Sequence, residues 1–123
     1  MMTSREIKKY IKLQDKFQSE CERVCRALSK YDKDYSYLSE FRIEDDRVYG
    51  EGHETWSYGG YEEYYQNFAL NLLQCSDEAL AFYVDSLIAF DKLAAQQKEE
   101  TRLAKEREND LKEYNRLKEK LGL

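Results

Sequence analysis

Residues 37–73 read YLSEFRIEDDRVYGEGHETWSYGGYEEYYQNFALNLL, and this stretch decides the fold because long helical patterns flank it on both sides. Between Tyr37 and Ile43, apolar and charged residues alternate, which is typical of a half-buried strand. An acidic turn at 44–46 and a glycine pair at 59–60 mark two reversals of the chain. The stretch therefore predicts three antiparallel strands, over residues 37–44, 48–57 and 61–73.

The register of the second and third strands depends on the length of the loop between them. A three-residue loop at 58–60 pairs Val48 with Leu70 and Gly50 with Phe68, so that large side chains cover the bare glycine backbone. A two-residue loop would mix the two faces, so we favour the longer loop. The even-numbered positions then face the core, namely Val48, Tyr64, Phe68, Leu70 and Leu72. The odd-numbered positions face solvent, namely Tyr49, Glu51, His53, Thr55, Glu63 and Tyr65.

Two helical patterns surround the predicted sheet. Residues 3–31 carry apolar side chains at three- and four-residue steps, the pattern of a helix that packs lengthwise on another helix. Thr3 or Ser4 is expected to cap it. Residues 77–121 predict a second, longer helix that begins after a serine cap and stops at a glycine. We expect a single α+β domain over residues 1–123, in which the helices pack as a hairpin and the sheet caps one end.

The second helix is the longer of the two, so the first helix cannot cover all of it. Its far end resumes an apolar stripe at Leu111, Tyr114, Leu117 and Leu121. A single exposed stripe of this length is a poor surface for a monomer. We therefore expect the distal part of this helix to protrude or to form a homodimer with a second chain.

The net charge of −5 is unevenly distributed. Residues 3–30 hold eight basic and four acidic groups, whereas residues 31–66 hold ten acidic and three basic ones. An acidic chain without a concentrated basic stripe is a poor nucleic-acid binder, because affinity for phosphates depends on Lys and Arg. A weak DNA contact through the first helix stays open as an alternative, through Lys8, Lys9, Lys12, Lys16 and Arg23.

Cysteine usage and hydropathy bear on the compartment. The N-terminus lacks the apolar run of a signal peptide, and no run of about 18 apolar residues predicts a membrane span. The odd number of cysteines, three, favours the reducing cytoplasm. Cys21 and Cys25 lie one helical turn apart and are expected to be buried packing residues. A metal would need both His53 and Cys75 as further ligands, so we expect neither a metal nor a cofactor.

The only histidine, His53, lies near Glu51 and Glu54 in the predicted strand. A general base between carboxylates is one interpretation of this pattern, but no nucleophile, phosphate loop or second histidine accompanies it. The carboxylate pairs at 45–46 and 62–63 lack the spacing of a calcium loop. We therefore expect no catalytic residues and a protein that is not an enzyme.

Residues 31–66 also hold eight of the eleven tyrosines and the only tryptophan. These side chains bury a large area at a small entropic cost and keep a polar tip, so a patch of them among acids suits a cationic partner. The alternative interpretation is a half-buried core filled with tyrosine. We predict a surface for a protein partner with a basic surface, with these contacts: Tyr49, Glu51, Glu54, Trp56, Tyr58, Tyr61, Glu63 and Tyr65.

The segment VYGEGHETWSYGGYEEYYQNFALNLL, residues 48–73, resembles a strand-turn-strand pattern of small uncharacterised phage-encoded proteins. The resemblance covers about a fifth of the chain and carries no catalytic motif. Because small acidic phage proteins often block host proteins, it implies a viral inhibitor of a host defence or nucleic-acid-handling protein in the host cytoplasm. Two alternatives stay open. One is a nucleotide-sequestering sponge with aromatic residues at a dimer seam, and the other is a structural coiled-coil protein of virion assembly.

Overall fold

The computed structural model describes residues 1–122 of the chain. The strands form one antiparallel sheet in the order β1-β2-β3, so the predicted α+β class with two long helices is confirmed. The chain divides into two units, residues 1–86 and the rest of the last helix from Leu87. The elements in chain order are α1 (Ser4–Leu28), a 3-10 turn (Lys33–Tyr37), β1 (Leu38–Glu44), β2 (Arg47–Thr55), β3 (Tyr61–Ala69), a second 3-10 turn (Leu70–Gln74) and α2 (Asp77–Lys120).

The start of α1 is fixed by a reciprocal capping box at Thr3, one of the two caps that the sequence predicts. The Thr3 hydroxyl accepts the backbone N–H of Glu6 at 3.2 Å, and the Glu6 carboxylate accepts the backbone N–H of Thr3 at 3.1 Å. Each bond satisfies an N–H group that has no partner within the helix. The cap is therefore Thr3, and α1 begins at the next residue.

The other helix boundaries follow from local side-chain bonds. α1 ends at Leu28, three residues before the predicted end at residue 31, because the Asp32 carboxylate accepts the N–H of Asp34 at 3.0 Å and starts a 3-10 turn. α2 begins after Ser76, whose hydroxyl accepts the N–H of Ala79 at 3.2 Å. The start of α2 is thus where its serine cap predicts it.

The core forms where the even-numbered face of the sheet meets the second half of α1 and the first turns of α2. Tyr64 and Leu70, which the sequence also assigns to this face, are only half-buried. The apolar stripe of α1 is buried only in its second half, since Ile7, Tyr10 and Ile11 are exposed. The buried residues are Cys21, Val24, Cys25, Leu28, Leu38, Val48, Phe68, Leu72, Leu80 and Val84.

Two of the three cysteines are packing residues, as predicted. Cys21 and Cys25 lie in the core and have no disulfide partner within residues 1–122. Burial raises the pKa of both thiols to about 12, and the neighbouring acids contribute in the same direction. Because the thiolate is the reactive form, neither residue is a reactive thiol at neutral pH.

Two ion pairs show how α1 packs on the first turns of α2. Arg23 Nη1 lies 3.0 Å from Asp77 Oδ1, and Lys30 Nζ lies 2.9 Å from Asp85 Oδ1. The residue numbers rise together, so these segments run in the same general direction. In a hairpin the two helices would instead run in opposite directions. The expected hairpin is therefore corrected, because the sheet between the helices returns the chain to the last turns of α1, from where α2 continues in the direction of α1.

The register of β2 and β3 differs by two residues from the prediction. Val48 lies opposite Phe68 rather than Leu70. The loop holds five residues rather than three, because the N–H of Trp56 donates to the carbonyl of Gly60 at 2.9 Å and closes it early. Side chains alternate with a period of two, so this shift leaves every residue of the two strands on its predicted face.

β3 ends at Ala69, although the sequence predicts that it continues to residue 73. Its neighbour β2 begins at Arg47, which lies opposite Ala69, so later residues have no strand to pair with. The N–H of Leu70 donates instead to the carbonyl of Asp46 at 2.9 Å, and the chain enters the second 3-10 turn. Leu72 is buried, as predicted, but it lies in this turn and not in a strand.

β1 contains a bulge that the alternation pattern does not reveal. Leu38 lies opposite Gly52 and Glu40 lies opposite Glu51, so Ser39 is the extra residue. The Ser39 carbonyl accepts the side-chain amide of Gln18 at 2.7 Å, which fixes α1 to this end of the strand. Ile43, which the alternation places on the buried face of this strand, is exposed at the opposite end of β1.

Candidate functional site

The uncovered face of the sheet holds most of the residues that the sequence predicts for binding. Antiparallel pairing places Glu40 opposite Glu51, Glu51 opposite Tyr65, and His53 opposite Glu63. Their side chains alternate with those that enter the core, so they share one side of the sheet. We name this surface the tyrosine–glutamate face and define it by Glu40, Glu51, His53, Tyr61, Glu63 and Tyr65.

Glu63 is held between two exposed tyrosines of its own strand. The Tyr65 hydroxyl donates to Glu63 Oε2 at 2.5 Å, and the Tyr61 hydroxyl donates to Glu63 Oε1 at 3.1 Å. These bonds hold the pKa of Glu63 below its ordinary value, and nearby His53 acts in the same direction. The same carboxylate raises the pKa of both phenols. Glu63 is therefore an oriented, ionised acceptor on the surface.

The strand partners Glu40 and Glu51 carry like charges directly opposite each other. Such a pair destabilises a sheet relative to neutral or opposite charges. Within residues 1–122, neither these two carboxylates nor that of Glu63 forms an ion pair with a lysine or arginine. The three acids together with His53, Tyr61 and Tyr65 line a shallow polar recess of about 180 Å³. Negative charge is thus concentrated at this recess, and no lysine or arginine of residues 1–122 forms an ion pair with it.

The other end of the same side of the sheet is not acidic. The Arg42 guanidinium lies 5.2 Å from the ring centre of Tyr49, and it also lies 3.6 Å from the Glu44 carboxylate. Arg47 Nε donates to Asn67 Oδ1 at 2.7 Å. Tyr49, a predicted contact, therefore lies in a region of mixed charge beside the tyrosine–glutamate face.

Three other predicted contacts lie away from this face. Glu54 lies on the opposite side of the sheet, where its carboxylate accepts the hydroxyl of Tyr64 at 3.0 Å. Trp56 belongs to the loop, and its ring lies against the backbone of Gly60. Tyr58 is 99% exposed at the loop tip. The structure thus brings together Glu51, Tyr61, Glu63 and Tyr65, and it separates Glu54 from them.

Glu40 belongs to the tyrosine–glutamate face although the sequence does not predict it as a contact. The sequence does contain a signal for Glu40, because Glu40 and Phe41 are neighbours in β1 and neighbouring strand residues lie on opposite faces. The bulge at Ser39 hides how β1 aligns with β2. His53 lies in the middle of the face, with its ring centre 5.7 Å from that of Tyr61.

A larger recess, about 440 Å³, lies between α1 and the first turns of α2 and includes none of the predicted contacts. Its charged ends are already occupied by the Arg23–Asp77 and Lys30–Asp85 ion pairs. Its apolar residues Leu80 and Val84 are almost completely buried. The recess is therefore largely a seam of the fold, and its volume does not make it the better candidate site.

The chemistry of the tyrosine–glutamate face is that of a hydrogen-bond acceptor. Across residues 1–122, no group of three or more His, Cys, Asp or Glu side chains is placed to hold a metal ion. Carboxylates accept bonds from guanidinium and ammonium groups, and tyrosine rings pack on their aliphatic or planar parts. The arrangement therefore suits lysine or arginine side chains of another molecule.

The titration of Glu63 can be predicted from its two tyrosine bonds. Replacing Tyr61 and Tyr65 together by phenylalanine should raise the pKa of Glu63 toward its ordinary value, because both bonds favour the ionised form. In the wild type, the stabilisation is present above the unfolded-state pKa and is lost as pH falls through the lowered folded-state pKa. Carboxyl-carbon NMR titration measures this. Tyr58→Phe is the control and should leave Glu63 unchanged, and an unshifted Glu63 in the double variant would contradict the prediction.

Comparisons with known proteins found no relative of this chain. No protein-family model, curated protein or solved structure matches the chain. In the part of the chain that the structure describes, no helix has the length and apolar character needed to cross a membrane.

Proposed function

We propose that this protein is a non-enzymatic binding protein that presents the tyrosine–glutamate face to a protein with a basic surface. One observation carries the proposal. Glu40 and Glu51 lie directly opposite each other beside the ionised Glu63, and neither forms an ion pair with a lysine or arginine of residues 1–122. A fold gains nothing from this arrangement, since like charges across strands destabilise a sheet. A cationic partner turns the same charges into favourable contacts.

The aromatic side chains support the same proposal. Tyr61 and Tyr65 are more than half exposed although each has a large apolar ring. Interfaces are enriched in tyrosine, and their binding energy is concentrated in a few such side chains. The acids would steer a basic partner toward the face, and the tyrosine rings would then be buried against it.

The partner class that fits this chemistry best is a protein with a lysine- and arginine-rich groove that normally holds phosphates. Carboxylates compete with phosphates for such groups. Together with the resemblance of residues 48–73 to phage-encoded proteins, this supports an inhibitor of a host defence or nucleic-acid-handling protein that acts in the host cytoplasm. A nucleotide sponge is less well supported, because the recess of the face is lined by carboxylates, which repel phosphates.

The proposal is tested by charge reversal with a matched control. The face variant carries Glu40→Lys, Glu51→Lys and Glu63→Lys. The control variant carries Asp15→Lys, Glu22→Lys and Glu119→Lys, which change the net charge equally on exposed helix positions. Circular dichroism should first show that both variants are folded.

Each protein is immobilised and exposed to bacterial lysate, and the retained proteins are identified by mass spectrometry. A basic protein should be retained by the wild type and the control and lost from the face variant. Its association rate with the wild type should fall as salt rises, since steering by charge is screened. Equal retention of the same protein by all three would contradict the proposal. Release of nucleotides, rather than capture of a protein, would support the sponge.

A further inference from the structure

The part of α2 from Leu87 onward carries a heptad pattern whose apolar positions are exposed at both of its ends. We infer that two copies of the chain associate through this part of α2 as an antiparallel coiled coil. The inference is independent of the tyrosine–glutamate face. Its core positions, spaced three and four residues apart, are Phe90, Leu93, Gln97, Glu100, Ala104, Arg107, Leu111, Tyr114, Lys118 and Leu121.

The exposed apolar side chains at both ends of this part of α2 are the first observation in favour of a second copy. Phe90 is 69% exposed and Leu93 54% exposed at one end, and Leu111 and Tyr114 are 60% and 62% exposed at the other. A helix with an apolar stripe gains most of its stability by packing that stripe against another element. From Leu87 to Lys120 the helix has 34 residues, about 51 Å of potential seam at about 1.5 Å per residue. That length allows about five heptads of contact.

The charged core positions decide the direction of the second copy. In a parallel pair, each core residue lies opposite its own counterpart. Glu100 would then face Glu100, Arg107 would face Arg107 and Lys118 would face Lys118. Three like-charge layers in a seam are strongly unfavourable, and such repulsion commonly selects one orientation over another.

An antiparallel pair removes these conflicts in one register. Leu93 then lies opposite Leu111 of the second copy, and Phe90 lies opposite Tyr114 of the second copy. Gln97 lies opposite Arg107 of the second copy. Glu100 lies about one helical turn beyond Gln97 on the same helix, so the Arg107 guanidinium of the second copy can reach its carboxylate. Apolar residues meet at both ends of the seam, and opposite charges meet in the middle.

Ion pairs inside the helix leave these core charges available. Arg102 bonds to Glu99 and lies 2.7 Å from Glu106, and Arg116 lies 2.7 Å from Glu113, all at outer positions of the heptad. Such pairs three or four residues apart satisfy charges along one helix. Within residues 1–122, Glu100 and Arg107 form no ion pair. They are therefore free to pair between two copies.

Sedimentation equilibrium tests the association itself. The expected mass is about twice the chain mass of 14.7 kDa at micromolar concentration. A mass of one chain at every concentration measured would overturn the inference.

Disulfide crosslinking tests the direction. Leu93→Cys and Leu111→Cys are made separately in a background with Cys75→Ser, since Cys21 and Cys25 are buried. After mixing and oxidation, the two variants should form a disulfide with each other. Leu93→Cys alone should not, because its counterpart would lie about 27 Å away along the seam. A disulfide dimer of Leu93→Cys alone would show a parallel pair and overturn the inference.

Charge exchange tests the central contact. Glu100→Arg and Arg107→Glu should each raise the dimer dissociation constant on the order of tenfold, and the double exchange should restore it. Glu99→Arg, an equal change at an outer position, is the control and should leave it unchanged. Single variants that dimerise like the wild type, or a double variant that stays weak, would overturn the pairing.

Discussion

Replacing Gly52 by alanine is expected to destabilise the protein by about 3 kcal/mol or more, the largest effect of any methyl group added to the sheet. A Cβ at this position would overlap the carbonyl oxygen of Tyr37 and lie 2.7 Å from its carbonyl carbon and 2.9 Å from the Cα of Leu38. All three atoms belong to the backbone, so no change of rotamer can relieve the overlap. The backbone before β1 must move away from β2 instead.

That movement would disturb two contacts of the fold. Leu38 is part of the core, and the ring of Tyr37 stacks on that of Tyr64 with centres 4.3 Å apart. Urea denaturation measures the change in the free energy of unfolding, and the tyrosine signal in near-ultraviolet circular dichroism reports the stack.

Two other glycines provide a graded control. The three atoms nearest to a Cβ on Gly50 belong to side chains, the closest being Leu38 Cδ1 at 2.8 Å, so part of the strain can relax. Gly59 has a φ of 83° and open space around it, so alanine there should cost about 1 kcal/mol, from backbone conformation alone. The expected order of destabilisation is therefore Gly52, Gly50, Gly59. A Gly52→Ala variant as stable as Gly59→Ala would contradict the close approach.

The faces of the sheet could be predicted from the sequence, whereas its register could not. The alternation of side chains in β2 and β3 places Val48 and Phe68 on the core face and Glu51 and Tyr65 on the solvent face. A register shift of two residues leaves each of them on the same face. The loop length depends on the hydrogen bond from the Trp56 N–H to the Gly60 carbonyl, and the Trp56 ring also lies against Gly60, four positions away. No alternation pattern contains that information.

The sequence could likewise predict where the helices begin but not how they pack. The capping bonds at Thr3 and Ser76 are local, so the residue types themselves signal them. The direction in which α1 and the start of α2 run follows from contacts between residues far apart in the chain, such as that of Arg23 with Asp77. The bulge at Ser39 has the same character, because the alternation pattern of β1 does not show which residue of β2 lies opposite Glu40.

Replacing Tyr65 by alanine is expected to weaken binding of the basic partner by on the order of 2 kcal/mol, roughly 30-fold in Kd. The side chain is 63% exposed in the free chain, and its hydroxyl orients the Glu63 carboxylate. Alanine removes both the ring that would be buried and the bond that holds the acid. Surface plasmon resonance against the captured partner measures the change.

Two further variants separate the causes of that loss. Tyr65→Phe keeps the ring and should lose only the part that comes from orienting Glu63. Tyr58→Ala at the exposed loop tip should leave the fold intact, so any loss of affinity reports contact by the loop. Trp56→Ala cannot serve in this way, because the ring packs on Gly60 and supports the loop.

Tyr10→Ala is the matched control, since Tyr10 is 56% exposed on α1 and lies outside the tyrosine–glutamate face. Its affinity should equal that of the wild type. If Tyr65→Ala binds as tightly as Tyr10→Ala, the tyrosines of the face are not the anchors of the interface. The acids would then act only through long-range attraction, which raises the association rate but leaves dissociation almost unchanged. Comparing the two rates for Tyr65→Ala therefore distinguishes an aromatic anchor, whose loss speeds dissociation, from a purely electrostatic surface.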